Sequence, residues 1–160
     1  MAKKKDKSPA PKIVNRKARH DYELLEKLEV GIALQGSEVK AIRDGRVSLG
    51  EGYVTAESTP RLALTVHNID IGEYAPAAST QHRPKRTRTL LAHKKEIERL
   101  ATAVQAKGLT IVPLEMYFSG RGQVKLLIAL AKGRGHADKR EAIAKRDMER
   151  DLRRAMSKRV

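Results

Sequence analysis

The residues of this chain with the clearest chemical capacity are lysines and arginines, and they are concentrated in three segments. Residues 1–20 hold eight of them with one acid, residues 83–95 hold six with no acid, and residues 132–160 hold eleven with five acids. The formal net charge is +15, so the rest of the chain is slightly acidic. Segregated cations of this kind bind polyanions, whereas a surface that only needs solubility mixes the two signs. The pattern predicts a nucleic acid or an anionic membrane as partner.

No arrangement of residues indicates catalysis or metal binding. The sequence has no Gly-x-Ser-x-Gly elbow, no P-loop and no Gly-x-Gly-x-x-Gly turn. It also has no cysteine, which excludes disulfides, Cys-ligated zinc and thiol nucleophiles. The five histidines are scattered without metal-ligand spacing, and they are His20, His67, His82, His93 and His136. We therefore expect a protein that is not an enzyme and that needs no cofactor or metal.

The scarcity of aromatic residues narrows the kind of nucleic acid. Aromatic side chains make up 3% of the residues, whereas a platform for single-stranded bases needs several exposed rings. Folded RNA, recognised through phosphates, sugars and shape, fits this composition better. The longest apolar run, residues 126–131, is far too short to span a bilayer, and no apolar segment follows the basic start. We expect a cytoplasmic protein without a membrane partner.

The elements that must position these cations are predicted to be mainly β-strands. A length of 160 residues suits one domain with tails. Apolar residues fall on even positions from Tyr22 to Leu34, which is the period of a strand with one buried face, and Leu25 breaks the alternation as a bulge would. The other predicted elements are a helix over 37–44 capped by Ser37 and ended by Gly45, strands over 47–57 and 61–71, a long loop over 72–91, a helix over 92–107 ended by Gly108, and a hairpin of 109–118 with 123–131.

These elements predict a mainly β fold with accessory helices. A small antiparallel barrel of the oligonucleotide-binding (OB) type over residues 13–131 pairs the strand edges, and a flat open sheet is the alternative. Residues 1–12 are polar and Lys-rich and are expected to be a disordered basic arm. Residues 132–160 form a basic tail behind a joint at Gly133 and Gly135. The tail favours a helix with only a thin apolar stripe, so we expect it to order on a partner.

Five stretches of the sequence together carry a specific resemblance. They are NRKARHDYEL, GIALQGSEVKAIRDG, RTRTLLAHKKEI, GLTIVPLEMYF and DKRE. In this order they resemble the SsrA-binding protein family, also called small protein B, from about Val14 to Met156. The resemblance implies an OB-type barrel that binds the tRNA-like domain of transfer-messenger RNA. It also implies delivery, with elongation factor Tu and GTP, to stalled ribosomes for trans-translation.

The resemblance further implies which residues act. Asn15, Glu29 and Leu91 match family positions tied to transfer-messenger RNA binding, with Leu91 packing against an unstacked base. The other expected RNA-binding residues are Arg16, Lys17, Arg19, Arg86 and Arg88 for phosphates, Gln35, Gly36 and Glu38 of the LQGxEVK signature, Thr87, and His20 and Tyr22, which could serve either RNA or the decoding centre. Glu38 is alternatively a helix cap.

The resemblance also implies that the protein stands in for the missing anticodon arm at the small-subunit decoding centre, with its tail in the empty mRNA channel. The tail residues expected to act there are Lys132, Gly133, Arg134, His136, Asp138, Lys139, Arg140, Lys145, Arg146, Arg150 and Arg153. Composition alone leaves an alternative open, namely a structural ribosomal protein with basic tails. Such a protein would co-purify with ribosomal subunits stoichiometrically, whereas a rescue factor would not.

Overall fold

The computed structural model describes residues 10–134 and 136–158, without the side chains of residues 136–139. Short strands and helices alternate along the described part of the chain. The strands are β1 (Ile13–Val14), β2 (Tyr22–Ile32), β3 (Val47–Ser48), β4 (Tyr53–Glu57), β5 (Ala63–His67), β6 (Asp70–Ile71), β7 (Arg88–Leu91), β8 (Thr110–Phe118) and β9 (Val124–Gly133). The α-helices are α1 (Arg16–Asp21), α2 (Gly36–Arg43), α3 (Lys94–Lys107) and α4 (His136–Ser157), and a 3-10 helix spans Ala75–Thr80.

Six strands form a near-barrel ring. Their order is β8, β4, β5, β7, β2 and β9, and β9 pairs back with β8. All of these pairings are antiparallel, β1 pairs with β8, and β3 and β6 form a separate two-stranded ribbon. Closure leaves few unpaired backbone groups at sheet edges. The predicted antiparallel β fold with helices is confirmed at this level, and a flat open sheet is not what forms.

The strand β2 follows the predicted alternation. Val30 and Ile32 are buried while Glu29 is exposed, and Leu25 keeps 51% of its surface exposed. The register with β9 shifts between Leu24 and Glu26, so the predicted bulge at Leu25 is confirmed. This pairing runs the full length of β2 and fixes which face Glu29 occupies.

Two hydrophobic clusters lie on opposite faces of β9. Leu126, Ile128 and Leu130 belong to the main core, which also takes in residues of α2 and α3. Ala129 and Ala131 belong to a second cluster, in which α1 packs through Ala18. The split follows from the two-residue period of a strand. Because α1 has six residues and buries only Ala18, its position depends on this second cluster and on its cap.

Three expectations about local structure are wrong. The segment 72–91 is not one long loop, since it contains the 3-10 helix and β7. The strands expected over 47–57 and 61–71 are each divided, and Asn68 with φ 59° is the break in the second. The cap of α2 is Gln35 and not Ser37.

The elements after the basic loop agree better with the sequence. The helix α3 ends at Gly108, which adopts φ 60° in the left-handed region as expected for a glycine that ends a helix. The hairpin of β8 and β9 is confirmed. However, β9 runs to Gly133, where it pairs with Tyr22, and the Arg134 amide donates to the Asp21 carbonyl at 3.0 Å. Lys132 and Gly133 are therefore part of the ring and not of the tail, and the rest of the predicted joint, Gly135, lies outside the described residues.

Candidate nucleic-acid interface

Asn15 holds α1 against the ring. Its amide nitrogen donates to the carbonyls of Leu49 (3.1 Å) and Pro113 (2.8 Å), and its amide oxygen accepts from the Ala18 backbone at 3.1 Å. The residue is 3% exposed. All of its hydrogen-bonding groups therefore have internal partners, and it caps the helix. This corrects the expectation of a direct RNA contact, because no free polar group of Asn15 faces solvent.

The cations of α1 are exposed, and two of them are paired with carboxylates. Lys17 donates to Glu51 at 2.7 Å, and Arg19 pairs with Glu115 at 3.1 Å. The hydrogen bond and charge of Lys17 hold the pKa of the Glu51 carboxyl below its usual range, and the charge of Lys85 acts in the same direction. Glu51 therefore lies within electrostatic reach of both Lys17 and Lys85. Arg16 forms no ion pair within the described residues.

Glu29 has a partner that sequence analysis did not find. The hydroxyl of Tyr117 on β8 donates to the Glu29 carboxylate across β9. Burial, followed by this hydrogen bond, raises the pKa of Tyr117 to about 12, so the phenol remains a donor. Only the order of strands in the ring, where β9 lies between β2 and β8, brings Tyr117 to Glu29, so no pattern in the sequence indicated this contact.

Glu38 and Arg88 form a fully buried ion pair. Both side chains are 0% exposed, and the Arg88 Nε donates to the Glu38 carboxylate. Glu38 also accepts from the Gln35 amide at 2.9 Å and from Arg86. Burial alone raises the pKa of Glu38, but the hydrogen bonds from Gln35, Arg86 and Arg88 outweigh it and leave the pKa lowered. Neither Glu38 nor Arg88 can touch RNA from this position, which corrects both expected contacts, whereas the expected helix-cap role of Glu38 is confirmed.

Arg88 contacts the backbone of the segment 83–87, which we call the basic loop. Its Nη1 donates to the carbonyls of Ile69 (3.2 Å) and Arg86 (2.8 Å), and its Nη2 to those of Arg83 (3.4 Å) and Pro84 (3.1 Å). The basic loop is also closed by a turn, in which the Arg86 amide donates to the Arg83 carbonyl at 3.1 Å. The loop is thus fixed from the inside by one guanidinium.

The outer side of the basic loop differs from its inner side. Arg83, Lys85 and Thr87 are exposed, whereas Arg86 is half-buried against Glu38. The Arg86 Nε is buried and has no hydrogen-bond partner within the described residues. Together with Asp70, the loop borders an open cavity of about 660 Å³. This arrangement presents positive side chains to solvent from a rigid backbone.

Leu91 is an exposed apolar residue at the end of β7. It keeps 60% of its surface exposed, so it is not a core residue. It packs against Gly31 of β2, where a Cβ would come within 3.3 Å of the Leu91 Cβ. Together they border a cleft of about 360 Å³, lined also by Leu34, Val39 and Lys125. Exposed apolar surface beside a cleft is compatible with the expected contact to an unstacked base.

The tail helix α4 leaves the ring beside α1. Its Arg146 Nη2 donates to the Arg19 carbonyl at 3.3 Å, and a groove of about 720 Å³ separates the helix from α1 and the end of β9. Met148, Leu152 and Met156 keep 62–70% of their surface exposed, so the helix buries almost nothing on its own domain. The predicted helix is therefore present, and its apolar stripe has no cover within the described residues.

The remaining expected site residues are spread over several elements. His20 Nδ1 lies 2.8 Å from Asp21 at the end of α1, Tyr22 begins β2 in the second cluster, and Gln35 and Gly36 are exposed at the start of α2. Gly36 is the first residue of α2. The tail residues with described, exposed side chains are Arg140, Lys145, Arg146, Arg150 and Arg153, with Arg134 half-buried. The side chains of His136, Asp138 and Lys139 lie outside the described residues, as do residues 1–9 of the arm.

The described residues provide no other kind of site. No group of three or more His, Cys, Asp or Glu residues among them could hold a metal ion. In the same part of the chain no helix has both the length and the apolar character needed to cross a membrane.

Comparisons with known proteins point to one family. Residues 12–158 match the family described as SmpB protein. The SsrA-binding protein of Azorhizobium caulinodans is 45% identical over 158 residues, which are 98% of this chain and 97% of that protein. The SsrA-binding protein of Maricaulis maris is 47% identical over 156 residues, which are 98% of this chain and 97% of that protein. A solved structure described as "tmRNA-SmpB: a journey to the center of the bacterial ribosome" is 43% identical, covers 84% of this chain and 95% of its own, and gives a TM-score of 0.65.

Proposed function

Since this chain belongs to the SmpB protein family, we propose that it is a non-enzymatic adaptor that binds transfer-messenger RNA for ribosome rescue. The observation that carries the proposal is the likeness to SsrA-binding proteins, at 45–47% identity along 98% of the chain. The likeness to the solved structure described as tmRNA-SmpB, at 43% identity over 84% of the chain, supports it. The electrostatics agree, because Lys17 of α1 binds Glu51 and the charge of Lys85 in the basic loop acts on the same carboxylate.

The binding mode follows from the composition and from the ring. The six-stranded ring acts as an OB-type barrel that holds the tRNA-like domain of the RNA on its outer surface. Exposed cations bind phosphates, Glu29 accepts from amino or 2′-hydroxyl groups, and Leu91 contacts an unstacked base. Few aromatic residues are needed, because folded RNA is held by its backbone and shape. The protein reaches the ribosome in the cytoplasm as a complex with the RNA, elongation factor Tu and GTP.

The tail has a separate task in this proposal. At the stalled ribosome, α4 takes the place of the missing message in the mRNA channel, and the ring stands in for an anticodon arm at the decoding centre. The exposed face of α4 supports this assignment, because Met148, Leu152 and Met156 are left for a partner to cover. The cations along the helix suit contacts to ribosomal RNA.

The first test identifies the RNA that accompanies the protein in cells. The tagged full chain is purified from its host under native conditions, and the co-purifying RNA is sequenced and quantified against ribosomal RNA. We expect transfer-messenger RNA to be enriched, with ribosomal RNA substoichiometric. Stoichiometric ribosomal subunits without enrichment would instead make the chain a structural ribosomal protein.

The second test separates RNA binding from the tail. Truncation after Arg134 leaves every strand of the ring intact, because β9 ends at Gly133 and the Arg134 amide holds Asp21. We expect this variant to bind the tRNA-like domain nearly as well as the full chain but to lose tagging of stalled chains. The matched control ends after Ser157 and keeps all of α4, so it should tag normally. Full tagging by the variant that lacks α4 contradicts the task given to the tail.

The third test addresses Glu29 directly. Glu29→Ala should weaken binding of the tRNA-like domain at fixed salt without changing the urea midpoint, because the carboxylate is exposed. Glu57→Ala, at an exposed end of β4, removes the same charge elsewhere and serves as the control. Equal affinity of the two variants removes Glu29 from the interface.

A further inference from the structure

We propose that the basic loop is a site for RNA phosphates, in which Arg83 and Lys85 make the contacts and the buried Glu38–Arg88 pair is a positioning device. The proposal rests on the RNA-binding function given above and adds the residues and the chemistry at one place. Neither Arg83 nor Lys85 belongs to the set that the family resemblance indicated. Arg88, which did belong to it, acts through the loop and not on the RNA.

The first step is that every N–H donor of Arg88 already has a partner inside the protein. A guanidinium offers five N–H donors in a fixed plane. Those of Arg88 reach the Glu38 carboxylate and four backbone carbonyls, at 2.8–3.4 Å for the carbonyls. The side chain is 0% exposed. It has neither a free donor nor access to solvent, so it cannot bind RNA itself, and three of its bonds go to the loop.

The second step concerns the direction of the loop carbonyls. Those of Arg83, Pro84 and Arg86 point inward to Arg88, and that of Pro84 also accepts from the Ile71 amide at 2.9 Å. The oxygen ends of three of the five peptide groups are therefore turned away from solvent. An approaching phosphate meets cations without this backbone negative charge beside them. Pro84 restricts the backbone further, because its ring fixes φ.

The third step is the state of the exposed cations. Arg83 and Lys85 are exposed, and neither forms an ion pair within the described residues. Lys17 and Arg19 of α1, by contrast, are paired with carboxylates at 2.7 and 3.1 Å. Unpaired cations on a rigid loop bind a phosphate without first breaking an internal ion pair. Their side chains lose less freedom if the backbone that carries them is already fixed.

The fourth step excludes a merely structural reading of the buried pair. Replacing a buried ion pair by apolar residues is often neutral or stabilising, so stability alone does not account for it. An apolar residue at position 88, however, could not donate to the loop carbonyls. The feature that only arginine supplies here is the set of bonds to residues 83, 84 and 86.

The experiment measures the salt dependence of binding to the tRNA-like domain with the full chain. Each phosphate contact contributes about 0.7–0.9 to the slope of log K against log salt. The variant with Arg83→Gln and Lys85→Gln should therefore reduce the magnitude of this slope by about 1.4–1.8. The matched control carries Arg61→Gln and Lys107→Gln, which remove the same charge from exposed positions away from the loop, and should change the slope by less than about 0.5.

Arg88→Lys tests the positioning role, because lysine keeps the charge but lacks the planar set of five N–H donors. We expect it to reduce the magnitude of the salt slope as the loop variant does. Combined with the loop variant, it should cause no further reduction. A general loss of folding would reduce the fraction of active protein but leave the slope unchanged. If Arg88→Lys does not fold, Glu38→Gln provides the same comparison, since it keeps the shape of the carboxyl.

The outcomes separate the two proposals. If the unmodified chain binds the tRNA-like domain no better than an unrelated RNA duplex, the proposed function fails. If it binds specifically but the loop variant has the same slope as the control variant, the phosphate site fails and the function stands. If the loop variant lowers the slope while folded Arg88→Lys or Glu38→Gln does not, the positioning role fails.

Discussion

Replacing Asn15 by alanine should destabilise the protein rather than remove an RNA contact. The substitution deletes the cap of α1, which is worth about 1 kcal/mol. It also takes a donor away from two buried carbonyls. That of Leu49 keeps the Gly52 amide at 3.0 Å, whereas the loss at Pro113 costs about 1–3 kcal/mol. The low ends of these ranges together give about 2 kcal/mol, a sizeable share of the stability of a domain this size. Asn15→Asp keeps the cap but places a carboxylate against both carbonyls, so it should be at least as destabilising.

The assay is urea unfolding followed by circular dichroism, with RNA affinity measured in parallel at fixed salt. Gln105→Ala, on the exposed face of α3, is the control and should leave the midpoint unchanged. The affinity of Asn15→Ala should fall only as its folded fraction falls. If instead its free energy of unfolding stays within about 0.5 kcal/mol of the unmodified chain while RNA binding is lost, Asn15 is a direct contact and the reasoning from its burial is wrong.

Three further predictions follow from individual contacts. A Cβ on Gly52 would fall 2.6 Å from Cγ2 of the buried Ile69, so Gly52→Ala should lower the free energy of unfolding in urea by about 1–3 kcal/mol. A Cβ on Gly50 would meet nothing within 4 Å, so Gly50→Ala should leave the stability unchanged. Equal losses in the two variants would contradict the close contact. The lowered pKa of Glu38 in the folded state means that its ionisation stabilises the fold above the ordinary carboxyl pKa, and this contribution is lost as pH falls through the folded pKa. An acid titration of unfolding free energy should therefore be steeper for the unmodified chain than for Glu38→Gln, and parallel curves would refute this. Tyr117→Phe should weaken RNA binding only while Glu29 is present, so a double-mutant cycle with Glu29→Gln should be non-additive, and independent losses would show that the phenol does not act through Glu29.

The sequence predicted the elements whose periodicity extends over many residues. Strand β2 could be recognised because eleven residues keep one alternation, and a single extra residue at Leu25 then stands out as a bulge. Helix α3 could be recognised because Ile97, Leu100 and Ala101 share one face and Gly108 ends the run. In both elements the buried positions are apolar, so the pattern and the packing agree.

The elements that were missed bury polar groups or are very short. Strand β7 has four residues, and its first inward position is Arg88, so the expected apolar alternation is broken by a charge. Helix α1 buries only Ala18 and depends on bonds from Asn15 to two residues distant in sequence. For the candidate site, residue type indicated cations correctly but could not tell exposed from buried ones. Arg83 and Arg88 look alike in sequence, and only the position of Glu38 separates them.

The closure of the ring has a consequence for the order in which the molecule is made. Leu28 of β2 pairs with Ile128 of β9, and the other neighbour of β2, the strand β7, meets it only at residues 31 and 32. During synthesis, the part of β2 that carries Glu29 therefore emerges long before its partner strand exists. Pairing between such distant segments is slow, and the early strand is exposed to wrong partners until then. The RNA-binding surface is thus completed only when nearly the whole chain has been translated, and a nascent copy cannot engage its RNA early.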